Sequence, residues 1–161
     1  MALHFTNQEF KNRKDKVLKK MSEANLDALL MFKQESMYWL TGYDTFGYVF
    51  FQCLVLDKYG NIILLTRAPD LRQAQNTSII KDIRIWKDRD KANPADDLNK
   101  ILNEFKLKGK NIGIEYDAYG LTGKNAIILN KSLNDSYKIK DESELISKFR
   151  MIKSVEEITY V

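Results

Sequence analysis

The sequence contains few of the side chains that most hydrolytic chemistry uses. It has one cysteine and one histidine among 161 residues. Any Ser-His-Asp or Cys-His arrangement would have to use His4, which lies near the amino terminus. No cysteine and histidine spacing resembles a zinc site. Because Cys53 lies in an apolar run, we expect a small buried hydrophobic residue and not a nucleophile or redox centre.

Glycine-rich phosphate-binding motifs and long apolar runs are also missing. Nothing matches a P-loop or a G-x-G-x-x-G pattern, so the usual signals of nucleotide and dinucleotide binding are absent. No apolar run approaches the ~20 residues of a membrane span. The first ten residues have neither the charged n-region nor the apolar h-region of a signal peptide. We therefore expect no membrane association and a cytoplasmic location.

The composition that remains is typical of a folded globular domain. Hydrophobic residues make up 44% and charged residues 30% of the chain, and the formal net charge is +4. The most basic stretch is residues 11–20, and a basic patch can bind nucleic acid. However, the stretch lacks aromatic residues for base stacking, and Val17, Leu18 and Met21 mark a core face opposite the lysines. We interpret it as the solvent-exposed face of a helix and expect no nucleic-acid partner.

Capping signals and hydrophobic periodicity predict strands that alternate with helices. The first helix is predicted over residues 7–24, with a capping box at Thr6 and Glu9 and a hydrophobic staple between Phe5 and Phe10. Further helices are expected after Asn93 and Pro94, after Thr122, and along a stripe of Leu145, Phe149 and Ile152. Strands are predicted over residues 26–32, 38–43, 49–57, 61–66, 83–86, 111–116 and 137–139. The second pair of runs, 49–57 and 61–66, reads as a hairpin, which predicts a mixed sheet with helices on both faces.

Two acidic residues stand at a predicted strand end, in the segment G-I-E-Y-D-A-Y-G. Ligands of open α/β sheets bind at strand ends, and acid pairs such as Glu115 and Asp117 can hold a metal or share a proton. The turn that follows explains Asp117 and Gly120 through ordinary turn chemistry. We favour this structural interpretation.

An aromatic stretch is the most distinctive feature of the chain. Seven of the sixteen residues in S-M-Y-W-L-T-G-Y-D-T-F-G-Y-V-F-F are aromatic. Turn-forming residues lie between Tyr43 and Tyr48, so a loop is expected to carry Tyr43, Phe46 and Tyr48. Aromatic rings are costly to leave in water, and a loop of them indicates an interface or a pocket wall. A packed connection within one domain is the alternative. Arg67 and Arg72 are candidates for positive charge beside this loop, although ordinary solvation at the surface explains both arginines as well.

The last residues carry a second helix start. Ser154 and Glu157 have the S-x-x-E spacing of a capping box, yet only seven residues follow the cap. Isolated helices shorter than roughly 12–15 residues are marginal in water. The segment is therefore expected either to pack on the preceding domain or to continue into a longer protein.

Several segments together resemble a known family. The stretches ESMYWLTGYDTFGYVFFQ, LLTRAPDLRQAQ, DIRIW, GIEYDAYGLTG and FRMIKSVEEITYV resemble, in order and spacing, the N-terminal domain of creatinase/prolidase proteins. The family includes Xaa-Pro dipeptidases, aminopeptidase P, creatinases and ectoine hydrolases. The resemblance covers essentially the whole chain, and R-x-I-K-S-x-E-E-I, residues 150–158, is its most specific part.

The resemblance implies both a fold and a division of labour. Residues 1–153 would form a ribonuclease H-like mixed α/β domain, and residues 154–161 would begin a linker helix to a C-terminal "pita-bread" catalytic domain. That domain would hold two divalent metal ions (Mn, Co or Zn), so this chain is assigned no catalytic residue and no metal ligand. Homodimerisation would place Tyr43, Phe46 and Tyr48, with Arg67 beside them, at the partner subunit's substrate pocket.

The expected function is therefore that of a non-catalytic domain of a metal-dependent Xaa-Pro dipeptidase-like hydrolase acting on small peptides. Creatinases use an arginine on the strand after the aromatic loop, and no arginine lies between Tyr43 and Asp57. Two alternatives remain, namely a domain of a creatinase- or ectoine-hydrolase-like enzyme and a stand-alone binding module. A stand-alone module is expected to pack Ile158 and Val161 on its own core, whereas a linker helix leaves them exposed.

Overall fold

The computed structural model describes residues 3–160, which form one mixed sheet between two layers of helices. The strands are β1 (Ala28–Met31), β2 (Cys53–Asp57), β3 (Ile62–Arg67), β4 (Asp82–Trp86), β5 (Asn111–Ile114) and β6 (Lys138–Asp141). The helices are α1 (Asn7–Glu23), α2 (Gln34–Thr41), α3 (Ala68–Thr77), α4 (Pro94–Glu104), α5 (Gly123–Leu133), α6 (Leu145–Met151) and α7 (Val155–Ile158). Across these residues, no helix has both the length and the apolar character needed to cross a membrane.

The strand order is β4-β3-β2-β1-β5-β6, and β2 is the strand that runs against its neighbours. It pairs antiparallel with β1 and with β3, whereas the β3–β4, β1–β5 and β5–β6 pairs are parallel. The predicted hairpin and mixed sheet are therefore confirmed. As a consequence, the carboxyl ends of the five other strands and the beginning of β2 share one edge, which we call the carboxyl edge.

Both faces of the sheet are buried. Alternate strand residues such as Leu30, Val55 and Ile112 pack against α4 and α5, and Cys53 is fully buried among them. Strand residues facing the other way, such as Leu29 and Leu54, pack against α1, α2, α3 and α6. This arrangement explains why the central strands are apolar at nearly every position.

The predicted strand over residues 38–43 is wrong, because these residues belong to α2 and its C-terminal cap. Met37 and Leu40 are buried at helical spacing, and Gly42 ends the helix in the left-handed conformation with φ 80°. The sequence analysis also missed α3, which begins directly after Arg67. The predicted strand over residues 49–57 is too long, since a short 3₁₀ turn at Gly47–Val49 precedes β2.

The remaining predicted elements are confirmed, except that Ile152 of the predicted stripe lies just beyond α6 and is exposed. Thr6 accepts the first cap hydrogen bond of α1 from the amide of Glu9 at 3.1 Å, and the rings of Phe5 and Phe10 meet edge to face. Asn93 and Thr122 cap α4 and α5 as expected. On α1, the lysines at positions 11, 16, 19 and 20 are exposed while Val17 and Met21 are buried, which agrees with a solvent-exposed basic face.

Candidate functional site

Two loops meet at the carboxyl edge of the sheet. The first, which we call the aromatic loop, comprises residues 42–52 between α2 and β2. The second joins β5 to α5. The ring of Tyr48 meets the ring of Tyr119 edge to face at 6.0 Å between centroids. Gly120 lies so close to the aromatic loop that a Cβ atom there would collide with the carbonyl oxygen of Phe50. The two loops therefore form one continuous surface.

The predicted site residues divide between this surface and the interior. Phe46 is 89% exposed and Tyr48 is 46% exposed, whereas Tyr43 is completely buried. Three further apolar side chains that the sequence analysis did not select are exposed on the same two loops: Val49, Phe50 and Tyr119. We call Phe46, Tyr48, Val49, Phe50 and Tyr119 the aromatic patch. Hydrophobicity in a turn-rich segment marked the first loop, while nothing in the sequence placed Tyr119 beside it.

Tyr43 supports the aromatic loop from beneath. Its hydroxyl donates a hydrogen bond to Oε1 of Gln52, and the Thr66 hydroxyl donates to the same oxygen at 2.8 Å. The side-chain amide of Gln52 in turn donates to the carbonyl of Gly47 at 2.6 Å. Burial raises the pKa of Tyr43 to about 12, so its hydroxyl keeps its proton at neutral pH.

Asp70 on α3 fixes the outer part of the same loop. Its Oδ1 accepts from the Thr45 hydroxyl at 2.7 Å, and its Oδ2 accepts from the Arg67 guanidinium at 3.1 Å. A Cβ atom at Gly47 would collide with this carboxylate. The guanidinium of Arg67 also lies 3.4 Å from the centroid of the Phe50 ring. Arg67 therefore lies beside the aromatic patch as expected, and its charge is paired with a buried acid.

Glu115 and Asp117 do not form an acid pair. Glu115 is buried, and its Oε2 accepts from the backbone amides of Phe32 and Lys33 at 3.1 and 2.8 Å. Its Oε1 accepts from the Ser36 hydroxyl at 2.5 Å. Burial raises the pKa of Glu115 to about 7. Asp117 is exposed, 3.2 Å from the Lys33 ammonium. Glu115 thus caps the start of α2, which supports the structural interpretation.

Between residues 3 and 160, no three His, Cys, Asp or Glu side chains are grouped so that they can hold a metal ion. Arg72, the other arginine considered beside the loop, is exposed on α3. The aromatic patch is a mainly apolar surface on a loop that buried hydrogen bonds hold, and such a surface is suited to packing against another molecule.

Comparison with known families identifies the class of protein to which this fold and its carboxyl-edge loops belong. Residues 13–152 match the creatinase/prolidase N-terminal domain, and the chain belongs to this family. Two curated relatives are similar over nearly all of the chain. A hydrolase/peptidase of Sinorhizobium fredii is 27% identical over 166 residues, and the ectoine hydrolase of Halomonas elongata is 28% identical over 168 residues. The alignments cover 99% and 100% of this chain but 42% of each relative.

Solved structures show the same fold at lower identity. A prolidase from Thermococcus sibiricus superposes with a TM-score of 0.76 at 20% identity, covering 93% of this chain and 39% of that one. A dipeptidase from Pyrococcus horikoshii gives 0.72 at 24% identity, covering 91% and 38%. The N-terminal domain of a cytoplasmic peptidase from Mycobacterium tuberculosis gives 0.68 at 18% identity, covering 86% and 98%. The predicted fold class, a mixed α/β sheet of the prolidase N-terminal type, is confirmed.

Proposed function

We propose that this chain is the non-catalytic N-terminal domain of a metal-dependent Xaa-Pro dipeptidase-like hydrolase. In this proposal the domain contributes to homodimerisation and to the substrate pocket of the partner subunit. Family membership and the hydrolase and peptidase relatives support the class. The observation that supports the role is the aromatic patch, which is exposed although the loop beneath it is held by buried hydrogen bonds.

The aromatic patch has the chemistry of a surface that is covered in the functional protein. When a partner binds, aromatic side chains bury large areas and lose little conformational entropy. Such side chains are therefore enriched at interfaces. Aromatic-lined grooves also recognise proline rings in peptides. Phe46 and Tyr48 are the residues we assign to the pocket wall or interface. Arg67 and Tyr43 hold that wall in place through Asp70 and Gln52.

Catalysis would belong to the domain that follows residues 154–161. We propose that two divalent metal ions (Mn, Co or Zn) lie there, where they would activate water for attack on the peptide carbonyl. The capping box at Ser154 and Glu157 is present, so a helix does begin at this point. Ile158 on that helix is 62% exposed, which favours a linker over a module that packs on its own core. Val161, the other residue of that comparison, lies outside the described residues.

The test uses the full-length protein and substitutions in the aromatic patch. Phe46→Ala and Tyr48→Ala are expected to lower kcat/KM for an Xaa-Pro dipeptide about tenfold or more, since a well-placed aromatic contact is worth more than 1 kcal/mol. The midpoint of thermal unfolding should change little, because both rings are exposed. Activity with Mn²⁺ and unfolding of each variant would be measured together.

Tyr59→Ala is the matched control, since Tyr59 is an exposed aromatic in the β2–β3 turn at the opposite edge of the sheet. It should leave both quantities unchanged. Unaltered kcat/KM in Phe46→Ala and Tyr48→Ala would contradict the pocket role. A stability loss of roughly 3–5 kcal/mol in Tyr48→Ala, as for a deleted core aromatic, would indicate a structural residue instead.

A second candidate function follows from the ectoine hydrolase relative, which is as similar to this chain as the peptidase relative. A domain of the same fold would then serve an enzyme that hydrolyses ectoine. Assays of the full-length protein with ectoine, creatine and Xaa-Pro dipeptides distinguish these candidates. Turnover of ectoine without turnover of the dipeptides would replace our first proposal.

A further inference from the structure

A buried arginine joins the first helix to the last. Arg13 on α1 is 1% exposed, and a buried charge is costly unless it is paired. Its Nε donates to Glu9 at 2.9 Å and its Nη1 donates to the carbonyl of Trp39 at 2.7 Å. Its Nη2 lies 3.4 Å from a carboxylate oxygen of Glu157 on α7. The ion pair with Glu157 thus connects two segments that are far apart in sequence.

Aromatic rings surround the same guanidinium. Its central carbon lies 4.0 Å from the centroid of Phe5 and 5.2 Å from that of Trp39. Trp39 stacks in turn on Phe149 of α6, with ring planes 6° apart. Such cation–π contacts gain strength when water is excluded. Arg13 is therefore the centre of a cluster that involves α1, α2, α6 and α7.

A second contact joins the same two helices at the start of α1. Thr6 donates both its backbone amide and its hydroxyl to the carboxylate of Glu156, at 3.1 and 2.6 Å. In the capping box predicted for α1, the Glu9 carboxylate would accept the hydrogen bond from the Thr6 amide. The Glu9 carboxylate is instead paired with Arg13. Glu156 of α7 takes its place, and the hydrogen bonds from Thr6 lower the pKa of Glu156. We call the contacts of Thr6 and Arg13 with Glu156 and Glu157 the polar clasp.

The polar clasp holds a helix that has little else to hold it. The helix α7 is four residues long and has no buried residue. Polar contacts therefore hold α7 in position, together with the ring of Tyr160 just after it, which meets the ring of Phe5 edge to face at 5.5 Å between centroids. Just after α7, the hydroxyl of Tyr160 donates to the carbonyl of His4 at 2.7 Å and joins the same two segments of the chain.

Apolar side chains remain exposed next to the clasp. They are Met151, Ile152, Val155 and Ile158, which we call the apolar strip, and Val155 is 83% exposed. Ile152 also borders a cavity of about 930 Å³ with an apolar side formed by Leu145 and Phe149. Four acids also line that cavity, which are Asp117, Asp141, Glu142 and Glu144, and they outnumber the two lysines of its lining, Lys20 and Lys148. A surface of this kind fits a partner with apolar side chains flanked by lysine or arginine.

We propose that the polar clasp fixes the direction of α7, and that the polypeptide following residue 161 covers the apolar strip. This inference rests on the proposed function, since it requires a further domain. Two observations select this occupant. The chain spans 42% of the length of its curated relatives, and Val155 and Ile158 of the strip lie on α7, which the proposed function assigns to the linker helix. A domain attached there has a high effective concentration at the strip, so modest contacts suffice. Arg13 is accordingly a positioning residue.

The clasp is tested in the 161-residue chain with the double variant Glu156→Gln, Glu157→Gln. Loss of charged hydrogen bonds is expected to speed hydrogen exchange of the amides at 158–160 about tenfold, while exchange in β1 and β2 stays constant. Glu23→Gln, at an exposed acid at the end of α1, is the matched control and should change neither. Unchanged exchange at 158–160 in the double variant would overturn the clasp. Glutamine keeps the size of both side chains and Glu9 still pairs with Arg13, so the domain is expected to fold, and constant exchange in β1 and β2 verifies this.

The occupant of the strip is tested by comparing the 161-residue chain with the full-length protein. Amides at 151–158 are expected to exchange about tenfold more slowly in the full-length protein, since covered segments are protected. Val155→Asp should remove this protection, whereas Ile127→Asp, at an exposed isoleucine of α5, should not. Equal exchange in both proteins would overturn the inference, as would protection in the short chain that rises with its concentration and thus reveals a second copy.

These outcomes are separable from failure of the proposed function. Protection of 151–158 in a full-length protein without Xaa-Pro hydrolysis would remove the proposed activity and retain the covered strip. Xaa-Pro hydrolysis by a full-length protein whose amides at 151–158 exchange as fast as in the short chain would retain the proposed activity and remove the covered strip.

Discussion

At the scale of single residues, Glu115 experiences the strongest opposition between burial and hydrogen bonding. Three donors and the Lys33 ammonium favour its carboxylate, yet removal from water raises its pKa to about 7. The residue satisfies amides at the start of α2, where Lys33 offers no side-chain cap. Its role is structural, and it makes the stability of the domain depend on pH near neutrality.

This pH dependence can be measured. The pKa of Glu115 is about 7 in the folded chain and 4.5 in its ordinary state, so between these values the folded protein holds a proton that the unfolded chain has lost. The free energy of unfolding should therefore fall as pH rises from 5 to 8, by about 3 kcal/mol for this group. Glu115→Gln remains neutral and should remove that fall.

Urea denaturation at pH 5, 6, 7 and 8 compares the two proteins, with Asp117→Asn as the control at an exposed neighbour. The same decrease in Glu115→Gln as in the unmodified chain would show that Glu115 does not carry the effect.

At the scale of elements, the aromatic loop is shaped by its neighbours more than by its own sequence. Buried groups from β3, α3 and β4 hold it: Thr66 and Asp70 through the hydrogen bonds described above, and the Trp86 indole through a bond to the carbonyl of Phe51 at 3.0 Å. The result is a rigid loop that presents Phe46 and Tyr48 outward. A loop of this kind can act as a preformed wall, because no ordering cost is left for binding.

Gly47→Ala tests this rigidity. The added methyl group would collide with the carboxylate of Asp70, which also binds Thr45 and Arg67. We expect the free energy of unfolding to fall by about 1–3 kcal/mol, as for other overpacked sites. Gly123→Ala, at the first residue of α5 with open space around it, should leave stability unchanged or raise it. Equal effects of the two substitutions in urea denaturation would contradict the collision.

At the scale of the whole molecule, the sheet is covered on both faces, whereas parts of the domain's surface expose apolar side chains. Both faces are covered by helices, so the domain has its own core. By contrast, the aromatic patch and the apolar strip expose apolar side chains in two places. The first lies on the carboxyl-edge loops and the second at α6 and α7. We interpret them as contacts with two different bodies, the partner subunit and the following domain.

The 161-residue chain is expected to unfold cooperatively but not to hydrolyse Xaa-Pro dipeptides in the presence of Mn²⁺ or Co²⁺. The reason is that the proposed metal ligands lie in the following domain. Product release would be measured for this chain and for the full-length protein as the positive control. Turnover by the pure short chain that disappears on chelation would contradict the assignment of catalysis to the other domain.

Local signals in the sequence determined most helices, the hairpin and the apolar strands. Caps at Asn93, Thr122 and Ser154 act within one turn, so a short window of sequence contains the whole interaction. The apolar run at residues 38–43 did not determine its own secondary structure, because a short apolar run fits a strand or a helix. What stabilises the start of that helix is Glu115, which is 79 residues away from Ser36 in the chain.

The sequence by itself also determined that an aromatic loop and a short terminal helix exist, since composition and cap spacing are local properties. The tertiary structure alone decided which aromatic residues face water. Tyr43 and Phe46 are three positions apart in one loop, yet Tyr43 is buried and hydrogen-bonded to Gln52, which Thr66 of β3 also binds, whereas Phe46 is exposed. It likewise decided that Glu156 caps α1, because a cap between residues 150 positions apart depends on how the helices pack.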